Sequence, residues 1–226
     1  MRFPLTNVVL LGATGLVGQG ALHTCLADPS VQKVTVISRR PLEITHPKLD
    51  VVLHDDFADL RPVAERLTAP DACFYCIGVP SAGVSESDYE KVTVDYAVAA
   101  ADALLPLNPA LTYVYVSGAS ASPDSKLMWA RVKARAEQRL LAYPFHTYVF
   151  RPGYIRPMFG VKPRVGAVRA VYAATSWLYP VLKKVFPEST TSIGAMGRAM
   201  IALSTMDGRG ERILTSGAIN RLAGEA

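Results

Sequence analysis

The sequence predicts an α/β protein with a doubly wound parallel sheet flanked by helices. Short aliphatic runs alternate with longer, alanine-rich stretches of helical length, and the first aliphatic run ends at a glycine-rich turn. This alternation is typical of parallel strands joined by helices that cover both faces of a sheet. With 226 residues, half of them hydrophobic, the chain can bury a core without disulfides or metals. We expect a single domain over residues 1–226, with residues 152–226 contributing the substrate side.

The strands and helices are predicted in the following order. Six segments have the length and composition of strands: Asn7–Leu11, Lys33–Ser38, Leu49–Leu53, Asp71–Ile77, Leu111–Ser117 and His146–Phe150. Helices are predicted between them over Gly15–Ala27, Ser85–Leu105 and Ser125–Ala142. Beyond residue 153 the alternation breaks, and the pattern predicts helices over Gly166–Val185 and Ile193–Ser204, a late strand over Arg212–Thr215 and a short tail.

Composition argues against several classes of protein. The three cysteines are an odd number, which does not suit a disulfide framework, and we therefore expect a reducing compartment and a cytoplasmic location. Cys73 and Cys76 fall on one predicted strand with side chains on opposite faces, so they do not suit a shared metal. The 13-residue apolar stretch Ala170–Leu182 is shorter than the roughly 20 residues of a membrane-spanning helix. The histidines have no metal-ligand spacing, and no metal is expected.

The net charge of +5 is unevenly distributed. Residues 126–187 contain 12 Lys and Arg against the single acid Glu137, a net of +11, and the rest of the chain has a net of −6. Solvated surface explains most such charges, but a basic half also favours an anionic small-molecule substrate or contact with an anionic lipid surface. No nucleic-acid-binding motif accompanies these charges, so no nucleic-acid partner is expected.

A glycine-rich loop follows the first predicted strand and opens the first predicted helix. Gly12 permits a tight turn, Gly15 allows the backbone to approach a pyrophosphate, and Gly18 allows close packing of helix on strand. The free N–H groups at the helix N-terminus attract the anion. The loop therefore predicts a Rossmann-type dinucleotide site formed by Gly12, Thr14, Gly15, Leu16, Val17 and Gly18.

The GxxGxxG spacing and the strand pattern resemble those of the extended and atypical short-chain dehydrogenases/reductases, in particular the small NmrA-like and epimerase-like NAD(P)-binding proteins. The resemblance covers nearly the whole chain. It implies a nicotinamide dinucleotide cofactor and an oxidoreductase or epimerase-like activity.

The end of the second strand favours NADP(H) over NAD(H). An NAD-selective site usually has a carboxylate there, about 20 residues beyond the glycines, to accept the ribose hydroxyls. This chain has Ser38, Arg39 and Arg40 instead, and guanidinium groups suit the additional 2′-phosphate of NADP(H). A solvated arginine pair at a surface turn is the alternative interpretation.

The resemblance assigns two further contacts to the cofactor. Asp56 and Phe57, after the third strand, are similar to the Asp-hydrophobic pair with which the superfamily holds the adenine. Ile77 and Gly78, after the fourth strand, are similar to the turn that passes the cofactor's ribose.

Active members of the superfamily carry Tyr-x-x-x-Lys on a helix after the fifth strand, and this chain has Trp129 and Lys133. Helical periodicity places Lys133 beside the apolar face and Arg131, Arg135 and Arg139 on the opposite, solvated one. Lys133 would contact the nicotinamide ribose. The indole of Trp129 is a donor only and does not replace the tyrosine as acid or base.

Three other residues are candidates for the chemistry of the site. Ser117 and Ser120 follow the fifth strand, where ligands gather in doubly wound sheets, although serines there also cap turns. Tyr154, after the sixth strand, resembles a residue that approaches the nicotinamide and is a substitute proton donor. The sequence does not decide among them.

Three functions remain open from the sequence. The leading one is an NADP(H)-binding oxidoreductase-like protein of unknown substrate. Arg151, Arg156 and Arg164, after the sixth strand, favour a carboxylate or phosphate group on that substrate. The second is a non-catalytic module that senses NADP(H) or binds a partner, which Trp129 favours. The third is peripheral membrane contact through the basic and aromatic segment Arg164–Lys184.

Overall fold

The computed structural model describes residues 6–67, 69–161 and 184–225. These residues form nine strands: β1 (Thr6–Leu11), β2 (Val31–Ser38), β3 (Leu49–Leu53), β4 (Ala72–Tyr75), β5 (Thr112–Val116), β6 (His146–Arg151), β7 (Tyr154–Arg156), β8 (Thr190–Ser192) and β9 (Ile213–Thr215). The described helices are α1 (Leu16–Ala27), α2 (Arg61–Ala64), α3 (Glu86–Glu90), α4 (Tyr96–Leu104), α5 (Met128–Leu141), α6 (Ile193–Leu203) and α7 (Ser216–Leu222).

Seven strands form one parallel sheet in the order β3-β2-β1-β4-β5-β6-β9. The order reverses between β1 and β4, where Leu11 lies opposite Tyr75. Ligands of doubly wound sheets bind at such a reversal, beyond the carboxyl ends of the strands. The turns that follow β1 and β4 therefore lie side by side where a ligand would be expected.

Two hydrophobic cores pack against opposite faces of the sheet. One contains Cys73 and receives α4 and α5, and the other contains Cys25 and receives α1 and α6. Cys76 packs against the second core, so Cys73 and Cys76 contribute to opposite faces, as predicted. Burial raises the pKa of the Cys76 thiol to about 12, which makes it unreactive as a thiolate near neutral pH.

The six predicted strands and the late strand are present, with ends that shift by one or two residues. β9 extends the sheet beyond β6 in parallel, which confirms the strand predicted over Arg212–Thr215. The prediction of a short tail after this strand is wrong, because residues Ser216–Leu222 form the helix α7. The Thr215 hydroxyl caps this helix by accepting a hydrogen bond from the Ala218 N–H at 3.4 Å. The paired strands β7 and β8 were not predicted, and residues 166–183 of the helix predicted over Gly166–Val185 lie outside the described residues.

The helix predicted over Ser85–Leu105 contains a π-helical turn over Lys91–Asp95, between α3 and α4. Tyrosine hydroxyls from the sheet donate to main-chain carbonyls in this region. Tyr75 donates to Val92 at 3.3 Å, and Tyr115 donates to Thr93 at 3.3 Å. A π turn interrupts the regular i to i−4 hydrogen-bond ladder, and these hydroxyls give its buried carbonyls partners.

Candidate cofactor site

The loop after β1 needs glycine at two positions to form. Gly12 has a φ of +83°, and a Cβ there would lie 2.6 Å from the carbonyl carbon of Cys76. A Cβ at Gly18 would lie 2.0 Å from the carbonyl oxygen of Gly12. Both contacts are far shorter than van der Waals distance, so the close packing of β1, α1 and the turn after β4 itself requires these glycines.

Gly15 differs from the other two glycines because the fold does not require it. Its φ of −81° and ψ of 170° suit any residue, and a Cβ there would meet no protein atom closer than 3.4 Å. Gly15 is the N-cap of α1 and supplies no side-chain hydrogen bond to the helix N-terminus. The first N–H groups of α1 therefore lack both an intrahelical partner and a side-chain cap, as expected where a helix receives an anion.

The other predicted loop residues complete this surface. Thr14, Leu16 and Val17 are half-buried. The Thr14 carbonyl accepts a hydrogen bond from the Gln19 side chain at 3.1 Å, which fixes the loop onto the first turn of α1. The loop is thus held in one shape by its own chain, with the helix N-terminus facing outward.

The end of β2 presents two arginine side chains to solvent. Ser38 is buried, and its hydroxyl accepts a hydrogen bond from the Arg40 N–H at 3.3 Å. Arg39 and Arg40 are exposed, and neither makes an ion pair within the described ranges. Within the described ranges these two charges have no protein partner, and they are suited to an anionic ligand.

The residues assigned to the adenine and ribose lie at the same edge. Phe57 is buried, with its ring centroid 6.1 Å from that of Tyr96, whereas Asp56 is exposed and accepts the Ala58 N–H at 2.9 Å. After β4, Ile77 packs against the first core, and a Cβ at Gly78 would meet nothing within 4 Å. The Asp56 carboxylate and the space over Gly78 therefore remain open to a ligand.

The predicted tryptophan and lysine meet at the carboxyl end of β5. A Cβ at Gly118 would lie 3.4 Å from Trp129 Cζ3 and 3.8 Å from Lys133 Cδ, so both side chains lie against this glycine. Lys133 Nζ donates to the Val116 carbonyl at 3.2 Å and lies 5.5 Å from the Tyr115 ring centroid. Burial lowers the pKa of Lys133 to about 8.

The arginines on the other side of α5 are not a free solvated stripe. Arg131 is half-buried and contacts Glu86 at 3.1 Å, and Arg135 contacts Glu86 at 2.9 Å and Glu90 at 3.1 Å. Only Arg139 of the three is exposed. The solvated face predicted for Arg131 and Arg135 is wrong because α3 packs there and neutralises them.

The structure separates the two candidate serines. Ser117 is buried, and its hydroxyl donates to the carboxylate of Glu137. Ser120 is exposed in the turn that follows, and its hydroxyl makes no hydrogen bond in the described part of the chain. Ser117 thus has a structural partner, and Ser120 has the accessible hydroxyl.

Glu137 is the residue that sequence reasoning did not assign. It is 2% exposed, and its carboxylate binds Arg151 through Nε at 3.1 and 3.2 Å and through Nη2 at 2.5 Å. Arg151 was expected to attract an anionic substrate, which is wrong because a buried carboxylate already occupies its guanidinium. The available signal was that Glu137 is the only acid in residues 126–187 and lies four residues after Lys133.

The segment after β6 lies beside the β5 turn. The Ala119 N–H donates to the Pro152 carbonyl at 3.1 Å, and Tyr154 begins β7 opposite Thr190 of β8. Tyr154 is half-buried and Arg156 is exposed. Arg164 and most of the segment Arg164–Lys184 lie outside the described residues.

Among the described residues, no helix is long and apolar enough to cross a membrane. No group of three or more His, Cys, Asp or Glu residues in these ranges is arranged to hold a metal ion.

Comparison of the sequence with known proteins finds relatives but no matching family model. A mitochondrial protein, fmp52-1, from Aspergillus terreus is 35% identical over 67% of this chain and 67% of its own length. The fmp52-1 protein of Aspergillus oryzae is 30% identical over 79% of each chain. The leucinostatins biosynthesis cluster protein T of Purpureocillium lilacinum is 33% identical over 58% of this chain, which spans only half of that relative.

Solved structures confirm the fold predicted from the glycine spacing. An oxidoreductase of the short-chain dehydrogenase/reductase family from Burkholderia thailandensis superposes with a TM-score of 0.69 over 98% of both chains, at 17% identity. The Bordetella bronchiseptica enzyme WbmH, solved with NAD⁺, gives 0.65 over 97% of this chain and 79% of its own, at 18% identity. The chain therefore has the NAD(P)-binding fold of short-chain dehydrogenases/reductases and epimerases.

The comparisons overturn one prediction. The Aspergillus relatives are named as mitochondrial proteins, which contradicts the cytoplasmic location expected from the cysteine count. Cysteine usage indicates only whether a compartment is reducing and does not identify the compartment.

Proposed function

Since this chain belongs to the Fmp52 family, we propose that it is an NADP(H)-binding oxidoreductase-like protein of the short-chain dehydrogenase/reductase type that acts, like its relatives, in mitochondria. The names of the relatives give no substrate, so the proposal depends on this chain's own site.

The observation that carries the proposal is Gly15. The fold tolerates a side chain at this position, yet the position lies at the uncapped N-terminus of α1 between two glycines that the fold requires. Because neither packing nor backbone conformation requires glycine at position 15, the space above it is available to a ligand. A pyrophosphate suits this position because it is anionic and accepts hydrogen bonds from the free N–H groups of the helix.

The preference for NADP(H) follows from the end of β2. Arg39 and Arg40 are exposed and make no ion pair within residues 6–67, 69–161 and 184–225. The end of β2 also lacks the carboxylate that an NAD-selective site usually has there, and Ser38 precedes the two arginines instead. A 2′-phosphate would receive charge-assisted hydrogen bonds from these guanidinium groups. NADH has only an uncharged hydroxyl at that position, which compensates poorly for removing the two guanidinium groups from water.

The residues at the end of β5 define what the chain can do with the cofactor. NADPH supplies a hydride when it is bound. Lys133 would hold the nicotinamide ribose, Trp129 would cover that end of the site, and Tyr154 would donate the proton that the family's tyrosine normally supplies. The proposed substrate is a small carbonyl compound, and the occupied Arg151 removes one of the three charges that favoured an anionic one.

A second function is favoured by the state of two residues. Trp129 cannot exchange a proton usefully, and the Ser117 hydroxyl is committed to Glu137. Trp129 lies where active short-chain reductases have a tyrosine, and Ser117 is one of the two candidates for the serine that they have near the end of the fifth strand. The alternative is therefore a non-catalytic module that binds NADP(H) as a sensor or presents the bound form to a partner.

One experiment tests the proposal and separates its two forms. We expect the protein to be retained on immobilised 2′,5′-ADP and to be eluted by NADP⁺ but not by NAD⁺. The same preparation is then assayed for NADPH oxidation with a panel of aldehydes and ketones, in which Tyr154→Phe should lower turnover by about 100-fold or more. Retention without turnover supports the sensor, and passage through the resin contradicts NADP(H) binding.

A further inference from the structure

A buried polar cluster joins the ends of β5 and β6 to α5. At its centre is Glu137, whose carboxylate accepts hydrogen bonds from the Ser117 hydroxyl and from the guanidinium of Arg151. Ser117 directly follows β5, and Arg151 is the last residue of β6. One carboxylate on α5 therefore holds together the two strand ends that border the proposed nicotinamide region.

Lys133 lies one helical turn before Glu137 on α5, and residues four apart are neighbours on a helix surface. Its Nζ donates to the Val116 carbonyl, the residue just before Ser117. The ammonium and the carboxylate thus reach adjacent residues of the same strand end from the same helix.

The charged and titratable groups around the Lys133 ammonium come from four elements, α5, β5, α3 and β6. Burial lowers the pKa of Lys133 to about 8, and the carboxylate of Glu137 on α5 acts in the opposite direction. Tyr115 of β5 lies under the ammonium and Tyr89 of α3 lies near Tyr115, and burial raises the pKa of both phenols, so they stay neutral in this range. Arg151 at the end of β6 is bound to Glu137 itself.

We propose that Glu137 is a positioning residue of the cofactor site, which fixes the ends of β5 and β6 and keeps the Lys133 ammonium charged where the ribose would bind. This inference rests on the proposed function for the role of Lys133. Its electrostatic part concerns the protein alone and is testable without any cofactor.

The expected pH dependence has a definite sign. A negative charge beside an ammonium favours the protonated form, so removal of the carboxylate lets Lys133 lose its proton at lower pH. A neutral amine is a weaker hydrogen-bond donor to the ribose hydroxyls than an ammonium group. Affinity for NADPH should therefore fall as pH rises through the pKa of Lys133. In a variant without the Glu137 carboxylate, this fall should occur at a lower pH.

The first test is an NMR titration of isotope-labelled lysine Cε signals in the protein without cofactor, with Lys133→Arg identifying the signal. We expect a midpoint near 8 in the wild type, and in Glu137→Gln a midpoint lower by about one pH unit or more. Glu86→Gln is the matched control, because it removes a carboxylate that pairs with Arg131 and Arg135 on the other side of α5. An unchanged Lys133 midpoint in folded Glu137→Gln would overturn the inference.

The second test measures NADPH affinity by calorimetry across the same pH range. The fall in affinity should move to lower pH in Glu137→Gln and disappear in Lys133→Arg, whose guanidinium stays charged. If the wild type binds no NADPH, the proposed function fails while the NMR titration still decides the electrostatic role. If Glu137→Gln does not fold, Glu137→Asp retains the charge, and a large shift of the Lys133 midpoint in that variant would contradict the role of the charge.

Discussion

The double substitution Arg39→Ala, Arg40→Ala is expected to weaken NADPH binding by about 30- to 900-fold, which corresponds to roughly 2–4 kcal/mol. The loss follows from removing two charge-assisted contacts to the 2′-phosphate. NADH lacks that phosphate, so its affinity should stay within a few-fold of the wild-type value. Isothermal titration calorimetry with both nucleotides measures the change.

A matched control removes the same charge elsewhere on the surface. Arg61 and Arg66 are more than half exposed and pair with Asp59 and Asp50. Arg61→Ala, Arg66→Ala should leave the preference for NADPH unchanged. Equal losses of NADPH and NADH affinity in the Arg39, Arg40 variant would show that these arginines do not recognise the 2′-phosphate.

Substitutions at two glycines of the loop are expected to differ greatly in their effect on stability. In Gly18→Ala the new Cβ would lie 2.0 Å from the Gly12 carbonyl oxygen, and we expect the free energy of unfolding to fall by about 3 kcal/mol. In Gly15→Ala the backbone angles suit alanine, so the stability should change by less than about 1 kcal/mol. Urea denaturation measures both values.

Gly15→Ala is expected to weaken NADPH binding although it barely changes stability. A methyl group there would occupy the space that the backbone leaves for the pyrophosphate, and we expect NADPH affinity to fall by about 100-fold in a protein of nearly wild-type stability. If Gly15→Ala were as stable as the wild type and bound NADPH equally well, the loop would not be the pyrophosphate site.

The sheet could be predicted from sequence because its signals are local. The apolar runs gave the six strands, and the spacing of Gly12, Gly15 and Gly18 gave the first turn with its helix. β9 was also predicted, since Ile213 to Thr215 retains the composition of a strand. Local patterns did not reveal β7 and β8, because each has three residues and exists only through pairing with the other.

The partners of the buried and half-buried polar side chains could not be predicted from the sequence. Helical periodicity placed Lys133 beside the apolar face, but it treats Arg131 and Arg135 as surface charges, and no local pattern gives Arg151 a partner. Their partners Glu86, Glu90 and Glu137 are 14 to 49 residues away in the chain, so only the packing of α3, α5 and β6 brings the charges together. The same packing brings the Ser117 hydroxyl into a hydrogen bond with Glu137 and leaves Ser120 exposed.

The central claim is that this chain binds NADP(H) in preference to NAD(H), and calorimetric titration of the purified wild-type protein with NADPH and NADH tests it most directly. The site predicts saturable binding of NADPH at one site per chain, with affinity at least about 30-fold higher than that for NADH. Equal affinity for the two nucleotides, or no binding of either, would contradict it.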